Sequence, residues 1–192
     1  MAARRFIPGE KRHLFEQVAL PHLDALYSAA LRLTRNSDDA KDLLQDTVLR
    51  AYRFFDQFKQ GTNCRAWLLT VLYNSFRNNY RRCAREQVAS STDLFDHQAE
   101  TQSLTDDRLA RNPEDLVGSR MVARQFEAVL GTLSPEFREV LILVDVQDLN
   151  YQEIAEVLDV PLGTVKSRVS RARAMMRQAM LKITMSRGKT GS

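Results

Sequence analysis

The stretch LSPEFREVLILVDVQDLNYQEIAEVLDVPLGTVKSRVSRARAMM, from Leu133 to Met176, decides the fold of this chain. At helical period it predicts a first helix, a short second helix at Tyr151–Leu158, a turn at Asp159–Gly163 and a basic third helix. In the third helix, apolar residues recur every three or four positions and form one stripe that faces a core. The residues of this stripe are Val165, Val169, Ala172 and Met176. Three helices in this order, with a tight turn between the last two, are typical of a helix-turn-helix.

The opposite side of the third helix combines short hydroxyl side chains with long cationic ones. Small side chains allow close approach to a DNA major groove, while Arg and Lys reach base edges and phosphates. Between Gly163 and Lys189 the chain has eight Lys and Arg residues and no acidic residue. The alternative is a basic amphipathic helix with a solvated face, but the small Ala155 and the Pro161 turn favour a DNA-binding helix-turn-helix. The candidate DNA-binding residues are Thr164, Lys166, Ser167, Arg168, Ser170, Arg171 and Arg173.

Composition limits the fold class and the cellular compartment. The 192 residues, 44% of them hydrophobic, suffice for one large or two small domains with their own cores. Because Gly and Pro are scarce and strand-like alternation is absent, we predict an all-α fold of two small helical domains joined by a flexible acidic linker. No stretch approaches the roughly 20 apolar residues of a membrane span, and Met1–Arg12 lacks an apolar signal core. We therefore expect a cytoplasmic protein without membrane insertion.

The cysteine and histidine residues point to no metal centre. Cys64 and Cys83 form neither a metal-binding pattern nor a disulfide framework, and the three histidines are scattered. We interpret both cysteines as reduced thiols of a cytosolic protein. A catalytic Cys–His pair stays open on spacing alone, although no activating base and orienting group lie nearby in the sequence. The sequence predicts no metal ion, no cofactor and no catalytic residue.

Helical periodicity and charge divide the chain into four parts. We predict an N-terminal domain at residues 10–85, a linker at 86–115, a C-terminal domain at 116–183 and a disordered tail at 184–192. The linker is rich in acidic residues and its apolar residues have no period, which is typical of a flexible segment. Two interpretations of its acids stay open: they keep a basic protein soluble, or they mimic nucleic acid in a positive channel or on the DNA-binding face.

Local signals predict three helical segments in the N-terminal domain. Pro21 marks a break or a first-turn position in the first segment. Asn36–Asp39 is a cap-like start for a second helix that continues to about Phe55. Gln60–Asn63 forms a loop, and a third helix follows it and ends near Arg82.

The third of these helices carries aromatic, asparagine and arginine side chains, and the stretch from Arg65 to Arg85 has no acidic residue. Rings stack on unpaired bases, amides pair with base edges, and cations follow the backbone. Stacking is worth about 1–3 kcal/mol per base, which is comparable with the cost of unstacking a base from a duplex. We therefore predict a surface for unpaired nucleic acid. For Trp67, core packing is an equal alternative because it shares a helix face with Leu68 and Leu72.

The second helix has the opposite charge. Its acids at i and i+4, Asp38/Asp42 and Asp42/Asp46, repel one another, and the helix N-terminus offsets only part of this cost. We expect a basic protein partner to offset the rest of this repulsion, and we interpret the acids as its docking face, around an exposed Leu43 or Leu44. The competing interpretation is a catalytic carboxylate pair, but no His, Lys or Gly-rich phosphate loop accompanies it.

Taken together, these segments resemble the extracytoplasmic-function sigma factors of bacterial RNA polymerase. The most specific stretches are DDAKDLLQDTVLRAYRFFDQF (Asp38–Phe58), GTNCRAWLLTVLYNSFRNNYRR (Gly61–Arg82) and Leu133–Arg173, within a resemblance from about Glu10 to Met180. The resemblance implies an alternative sigma factor without enzymatic activity, which binds core polymerase and directs promoter-specific initiation. It also implies a stress regulon and control by an anti-sigma factor. The alternatives are an autonomous helix-turn-helix regulator and a nucleic-acid enzyme that uses the Asp38–Asp46 carboxylates.

The resemblance also implies roles for individual residues. Docking on the β′ clamp helices of the polymerase would use Asp39, Asp42, Leu43, Gln45 and Asp46. Recognition of promoter DNA at the −10 element would use Phe58, Asn63, Arg65, Trp67, Asn74, Arg77 and Asn78. Recognition of the −35 element would use Thr164, Lys166, Ser167, Ser170 and Arg171, with Arg168 and Arg173 on phosphates. The apolar Leu133–Val144 region would face the β flap of the polymerase. Because Ser170 stands where some relatives carry an aromatic residue, the −35 base sequence does not transfer.

Overall fold

Helices joined by short turns and loops make up the residues that the computed structural model describes, 8–89 and 113–188. The helices of the first range are α1 (Pro8–Ala19), α2 (Leu23–Thr34), α3 (Ser37–Arg53) and α4 (Cys64–Ala89). The helices of the second range are α5 (Pro113–Thr132), α6 (Pro135–Leu141), α7 (Tyr151–Leu158) and α8 (Leu162–Gly188). The connections include 3-10 turns at Leu20–His22 and Phe55–Gln57 and a π-helical turn at Ile142–Val146. The predicted all-α class is confirmed.

The starts and stops of the N-terminal helices follow local chemistry. Pro21 lies in the 3-10 turn that separates α1 from α2, as predicted. Arg35 ends α2 in the left-handed conformation, with φ of 59°. The side-chain oxygen of Asn36 then accepts hydrogen bonds from the backbone N–H groups of Asp38 and Asp39, at 2.8 and 3.2 Å. This is the predicted N-cap of α3, and it satisfies two donors that the helix itself leaves unpaired.

Two helices extend further than the sequence analysis predicted. α4 continues to Ala89 rather than ending near Arg82, and α8 continues to Gly188, into the tail that was expected to be disordered from residue 184. Neither helix meets an internal proline, and α8 ends at a glycine, so nothing local stops either one sooner. Residues 90–112 of the predicted linker and residues 189–192 of the predicted tail lie outside the described residues.

A single buried core connects the two halves of the chain, which we name the N-terminal lobe (residues 8–89) and the C-terminal lobe (residues 113–188). Helix α4 packs against α7, while α2 packs against α6 and the π-helical turn. Fully buried side chains on the two sides include Leu26, Leu69, Leu72, Ile142, Leu143 and Ile154. The lobes are therefore closed against each other. None of the described helices has the length and apolar character needed to cross a membrane.

Candidate nucleic-acid and protein interfaces

Helix α8 has the two sides that its sequence predicts. Its apolar stripe is in the core, because Val165, Val169 and Ala172 are buried and Met176 is half-buried. The exposed side chains on its other side are Lys166, Ser167, Ser170 and Arg171, while Thr164 is half-buried. The core therefore anchors one side of the helix and leaves a surface of hydroxyl and cationic side chains facing outwards, as docking into a major groove requires.

The turn before α8 differs in detail from the prediction. Gly163 was expected in the turn, but it lies inside the first turn of α8, where a Cβ atom would meet nothing within 4 Å. Asp159 supplies the left-handed residue instead, with φ of 52°, and Pro161 accepts the first helical hydrogen bonds of α8. Aspartate tolerates this conformation better than most residues do. The small Ala155 is buried in α7, which packs against α8, as predicted.

Two cations predicted to contact phosphate are held by acids of their own lobe. Arg168 lies 3.2 Å from the carboxylate of Glu136, and Arg173 lies 2.5 Å from that of Asp145. The hydrogen bond with Asp145 raises the pKa of Arg173. Both guanidinium groups are therefore already paired with carboxylates within the C-terminal lobe.

Helix α3 presents an acidic stripe along its exposed side. Asp39, Asp42 and Gln45 are exposed, whereas Asp46 is half-buried and forms an ion pair with Arg50 at 2.8 Å. The prediction that Leu43 belongs to this docking face is wrong, because its side chain is only 4% exposed. Helix α3 packs on both α2 and α4, and this packing draws Leu43 into the core.

An apolar end of the same stripe was missed by the sequence analysis. Leu49 and Tyr52 follow Gln45 by four and seven residues, which places all three on one side of α3. Leu49 is 62% exposed and Tyr52 is 37% exposed. The Tyr52 ring contacts Phe15 edge-on, with centroids 5.3 Å apart. The spacing of Leu49 and Tyr52 from Gln45 could have indicated this end of the stripe. That spacing can be used only once Leu43 is known to face the core, because this fixes which side of α3 is exposed.

The aromatic residues proposed to hold unpaired bases form a cluster at the start of α4. The ring of Phe58 stacks on Phe55 with centroids 5.7 Å apart and lies 5.1 Å from the Trp67 ring. Phe58 and Trp67 are half-buried, so each side chain packs against the core and remains partly accessible. Tyr73 is fully buried and belongs to the core alone.

The polar residues of this candidate surface fall into two groups. Asn74 and Asn78 are exposed one turn apart on α4. The remaining three, Asn63, Arg65 and Arg77, donate hydrogen bonds to the C-terminal lobe. The sequence grouped all five residues correctly on α4 and the loop before it, but their partners in the other lobe could not be predicted.

The apolar segment Leu133–Val144, expected to face a polymerase, is mostly internal. Leu133 and the run Val140–Leu143 are buried in the core. Phe137 and Val144 are half-buried and remain partly accessible. The apolar character of this segment therefore reflects core packing, because α6 and the π-helical turn lie between α8 and α2.

The thiol of Cys64 is unsuited to oxidation chemistry. Its side chain is buried at the start of α4, and this burial raises the pKa of the thiol from 9.0 to about 11. Because the thiolate is the reactive form, a raised pKa makes the group inert near neutral pH. Within the described residues, no cluster of three or more His, Cys, Asp or Glu side chains could hold a metal ion.

We expect Cys64 to react slowly with iodoacetamide in a Cys83→Ser variant of the folded chain. A pKa of about 11 instead of 9.0 lowers the thiolate fraction at pH 8 about a hundredfold, and burial slows access further. The same pKa rise lowers the free energy of unfolding as pH rises from about 9 to 11, because the unfolded thiol loses its proton first. Mass spectrometry with and without denaturant measures the rates, and equal rates would show that Cys64 is accessible.

Comparison with known proteins places both lobes in one family. The Sigma-70 region 2 model matches residues 19–86, and the Sigma-70, region 4 model matches residues 123–176. The ECF RNA polymerase sigma factor EcfG of Rhodopseudomonas palustris is 37% identical over 158 residues, which cover 82% of this chain and 78% of EcfG. The chain belongs to the extracytoplasmic-function (ECF) sigma factors.

Other relatives of this sigma factor agree with the assignment. The ECF RNA polymerase sigma factor SigE of Mycolicibacterium smegmatis is 32% identical over 168 residues. That match covers 88% of this chain but only 62% of SigE. The sigma factor RpoE of Bartonella quintana, solved in complex with the anti-sigma factor NepR, superposes with a TM-score of 0.67 at 32% identity, covering 86% of this chain and 96% of RpoE. CnrH, solved with the cytosolic domain of CnrY, superposes with a TM-score of 0.59 at 26% identity, covering 90% of each chain.

Family membership decides between the alternatives that the sequence left open. Sigma factors are transcription initiation factors and not enzymes, which disfavours the interpretation of the acidic residues of α3 as a catalytic pair. A match that spans both lobes also disfavours an autonomous helix-turn-helix regulator, which would share only the C-terminal lobe with this family.

Proposed function

We propose that this sigma factor binds core RNA polymerase and promoter DNA and directs initiation at the promoters of a stress regulon. One observation carries the proposal: a single chain exposes both the acidic stripe of α3 and the hydroxyl–cation side of α8. The first surface is complementary to a basic protein and the second to DNA, so one chain can bring core RNA polymerase to a promoter.

The acidic stripe docks on the β′ clamp helices of the polymerase. Asp39 and Asp42 are exposed and, among the described residues, form no ion pair, so they are available to basic side chains of a partner. Leu49 and Tyr52 continue the stripe as an apolar anchor. Large apolar and aromatic side chains contribute most of the affinity at protein interfaces, while charges contribute specificity and association rate.

Helix α8 enters the major groove of the −35 element. Lys166 and Arg171 reach base edges or phosphates, and the hydroxyl groups of Ser167 and Ser170 allow the backbone to approach closely. Arg168 and Arg173 exchange their carboxylate partners for phosphates, which are anions of similar geometry.

The N-terminal lobe captures unpaired bases of the −10 element. Asn74 and Asn78 supply paired donors and acceptors, and the partly accessible rings of Phe58 and Trp67 supply stacking surfaces. Arg65, Arg77 and Asn63 hold the backbone of the same strand. Binding energy of the flipped base then keeps the strand open, so these residues need no ATP.

We also propose an anti-sigma factor and the polymerase β flap as partners. Support for the anti-sigma factor comes from RpoE and CnrH, which were solved with NepR and with the cytosolic domain of CnrY. Such a factor would mask the polymerase-docking surfaces. The β flap would contact the C-terminal lobe, where Phe137 and Val144 are its partly accessible apolar side chains.

Reconstituted transcription tests the proposed function. The purified chain, bacterial core polymerase and a pool of promoter fragments are incubated with nucleotides, and the transcripts are mapped. We expect defined start sites that share a spaced pair of upstream elements and that disappear without this chain. Specific duplex binding by the chain alone, with no transcripts, would instead indicate an autonomous regulator.

A further inference from the structure

Beside the shared apolar core, the contact between the two lobes includes three polar side chains of the proposed −10 surface, Asn63, Arg65 and Arg77. Arg77 donates to the carboxylate of Glu139 at 2.9 Å and to the backbone carbonyl of Leu158 at 2.9 Å. Asn63 donates to the carboxylate of Glu153 at 2.6 Å. These bonds join residues that are far apart in sequence, so only the closed arrangement of the lobes forms them.

Gln147 lies at the centre of this contact and is 1% exposed. Its side-chain oxygen accepts hydrogen bonds from Arg65 at 2.9 and 3.2 Å, and its backbone carbonyl accepts a further one from the same guanidinium group. Its side-chain nitrogen donates to the backbone carbonyl of Ala25 in α2, at 3.0 Å. Every hydrogen bond of the Gln147 side chain in the described structure therefore crosses to the N-terminal lobe.

The backbone around Gln147 is irregular. The π-helical turn Ile142–Val146 precedes it, and Asp148, directly after it, has a positive φ of 51°. π-Helical turns and left-handed residues other than glycine are uncommon, and they concentrate where a chain switches or binds. This geometry points the Gln147 side chain into the other lobe.

The acceptors that the C-terminal lobe offers are chemically similar to those of a nucleic-acid strand. Glu139 and Glu153 provide anionic oxygens like those of phosphate, while the amide of Gln147 combines an acceptor and a donor like a base edge. In the closed state Arg65, Arg77 and Asn63 already donate to the acceptors of the C-terminal lobe, which lie where a strand bound to the same side chains would have to enter. The two ligands must therefore compete for this surface.

The closed arrangement also cannot span a promoter. Elements at −35 and −10 are about 25 base pairs apart, or about 85 Å along the helix axis. Since α7 packs against both α4 and α8, those helices lie about 20 Å apart, or two packing distances of 8–10 Å. Simultaneous binding of both elements thus requires the lobes to separate.

We propose that the C-terminal lobe is a competing ligand for the −10 surface of its own chain, and that Gln147 is the latch holding this self-inhibited state closed. The inference rests on the proposed function, because it takes Asn63, Arg65 and Arg77 as contacts to promoter DNA. Core polymerase favours the open state because it holds the two lobes on separate surfaces.

A buried hydroxyl in the closed state makes it easier to open. The Tyr73 hydroxyl has no hydrogen-bond partner within the described structure, and it lies within the fields of Glu139 and Arg77 at the contact. An unpaired buried polar group destabilises the state that buries it, and opening exposes it to water. Removing this hydroxyl therefore favours the closed state.

Small-angle X-ray scattering and single-stranded DNA binding test the latch on the full chain. We expect Gln147→Ala and Glu139→Gln each to raise the radius of gyration by several ångströms above the roughly 16 Å of a compact chain of this length. We also expect at least about threefold tighter binding of a fluorescent random-sequence single-stranded 12-mer, because the affinity rises with the population of the open state. Tyr73→Phe should bind the same probe more weakly than wild type.

The matched control is Gln152→Ala, which removes an exposed amide from α7 in the same lobe and should change neither measurement. If both variants gave the same radius of gyration and the same DNA affinity as this control, the latch would be overturned. Glu139→Gln keeps the test decisive if Gln147→Ala fails to fold. The transcription assay separates the two hypotheses. If wild type directs defined starts while the latch variants stay compact, the latch fails and the proposed function stands. If wild type gives no transcripts, the proposed function fails, and the scattering still reports whether Gln147 closes the lobes.

Discussion

Replacing Asp39 and Asp42 together by lysine is expected to weaken the assembly of this sigma factor with core RNA polymerase by at least about a hundredfold in affinity. Both carboxylates are exposed on α3, and reversing them sets like charges against the basic partner. Like-charge contacts at an interface cost several kcal/mol, and every 1.4 kcal/mol is tenfold in affinity. Fluorescence anisotropy of the labelled chain, titrated with core polymerase, measures the change.

Asp24→Lys provides the matched control for this prediction. Asp24 is exposed in the first turn of α2, as Asp39 is in the first turn of α3, so both substitutions lose a similar interaction with a helix N-terminus. That interaction is worth about 0.3–1 kcal/mol of stability. Core affinity should be nearly unchanged by Asp24→Lys. An equal loss in both variants would mean that overall charge, and not the acidic stripe, governs docking.

Arg171→Ala reduces promoter-specific transcription about 5- to 140-fold and leaves binding to core polymerase intact. Arg171 is exposed on the side of α8 proposed to face DNA, away from the buried apolar stripe, so its loss leaves the helix packed. A bidentate contact from arginine to a base edge contributes about 1–3 kcal/mol of discrimination, which corresponds to this range of rates. Start-site-resolved transcription measures it across a library of −35 sequences, with the core polymerase saturated by the chain and the holoenzyme kept below the concentration that saturates the promoters.

Arg177→Ala is the control on the same helix. Arg177 is also exposed and carries the same charge, but it lies six residues further on and so faces a different direction. We expect a small and sequence-independent effect. If Arg171→Ala weakened all −35 variants equally, Arg171 would be a phosphate contact and would not read a base.

The helices of the C-terminal lobe could be predicted closely because their signals are local. The bounds of α7 at Tyr151–Leu158 agree with the prediction, and Asn150 begins this helix with a reciprocal capping box to Glu153. The apolar stripe of α8 repeats at helical spacing, and the predicted stripe is the one that packs inwards. Caps and periodicity involve residues within a few positions of one another, so they can be recognised without knowing the fold.

The docking face of α3 could be predicted only in part. Leu43 and Leu44 are adjacent and equally apolar, so the sequence could not tell which one faces the core. Packing of α3 on α2 and α4 buries Leu43 and leaves Leu44 half-buried. The same orientation exposes Leu49 and Tyr52, which composition alone would assign to a core. The exposure of the acidic positions was easier to predict, because carboxylates at such short spacing repel one another and remain in water.

The sequence by itself determined the helical class, the two lobes and the chemistry of each candidate surface, because these depend on periodicity, capping and charge along short stretches. Only the tertiary structure decided which groups accept hydrogen bonds from the arginines of α4. Arg65 is 82 positions from Gln147, and Arg77 is 62 positions from Glu139. No periodicity extends over such separations, and the donors are equally suited to phosphate, carboxylate or amide oxygen. The packing of α4 on α7, and of α2 on α6 and the π-helical turn, selects the partner, since it brings those oxygens within hydrogen-bonding distance.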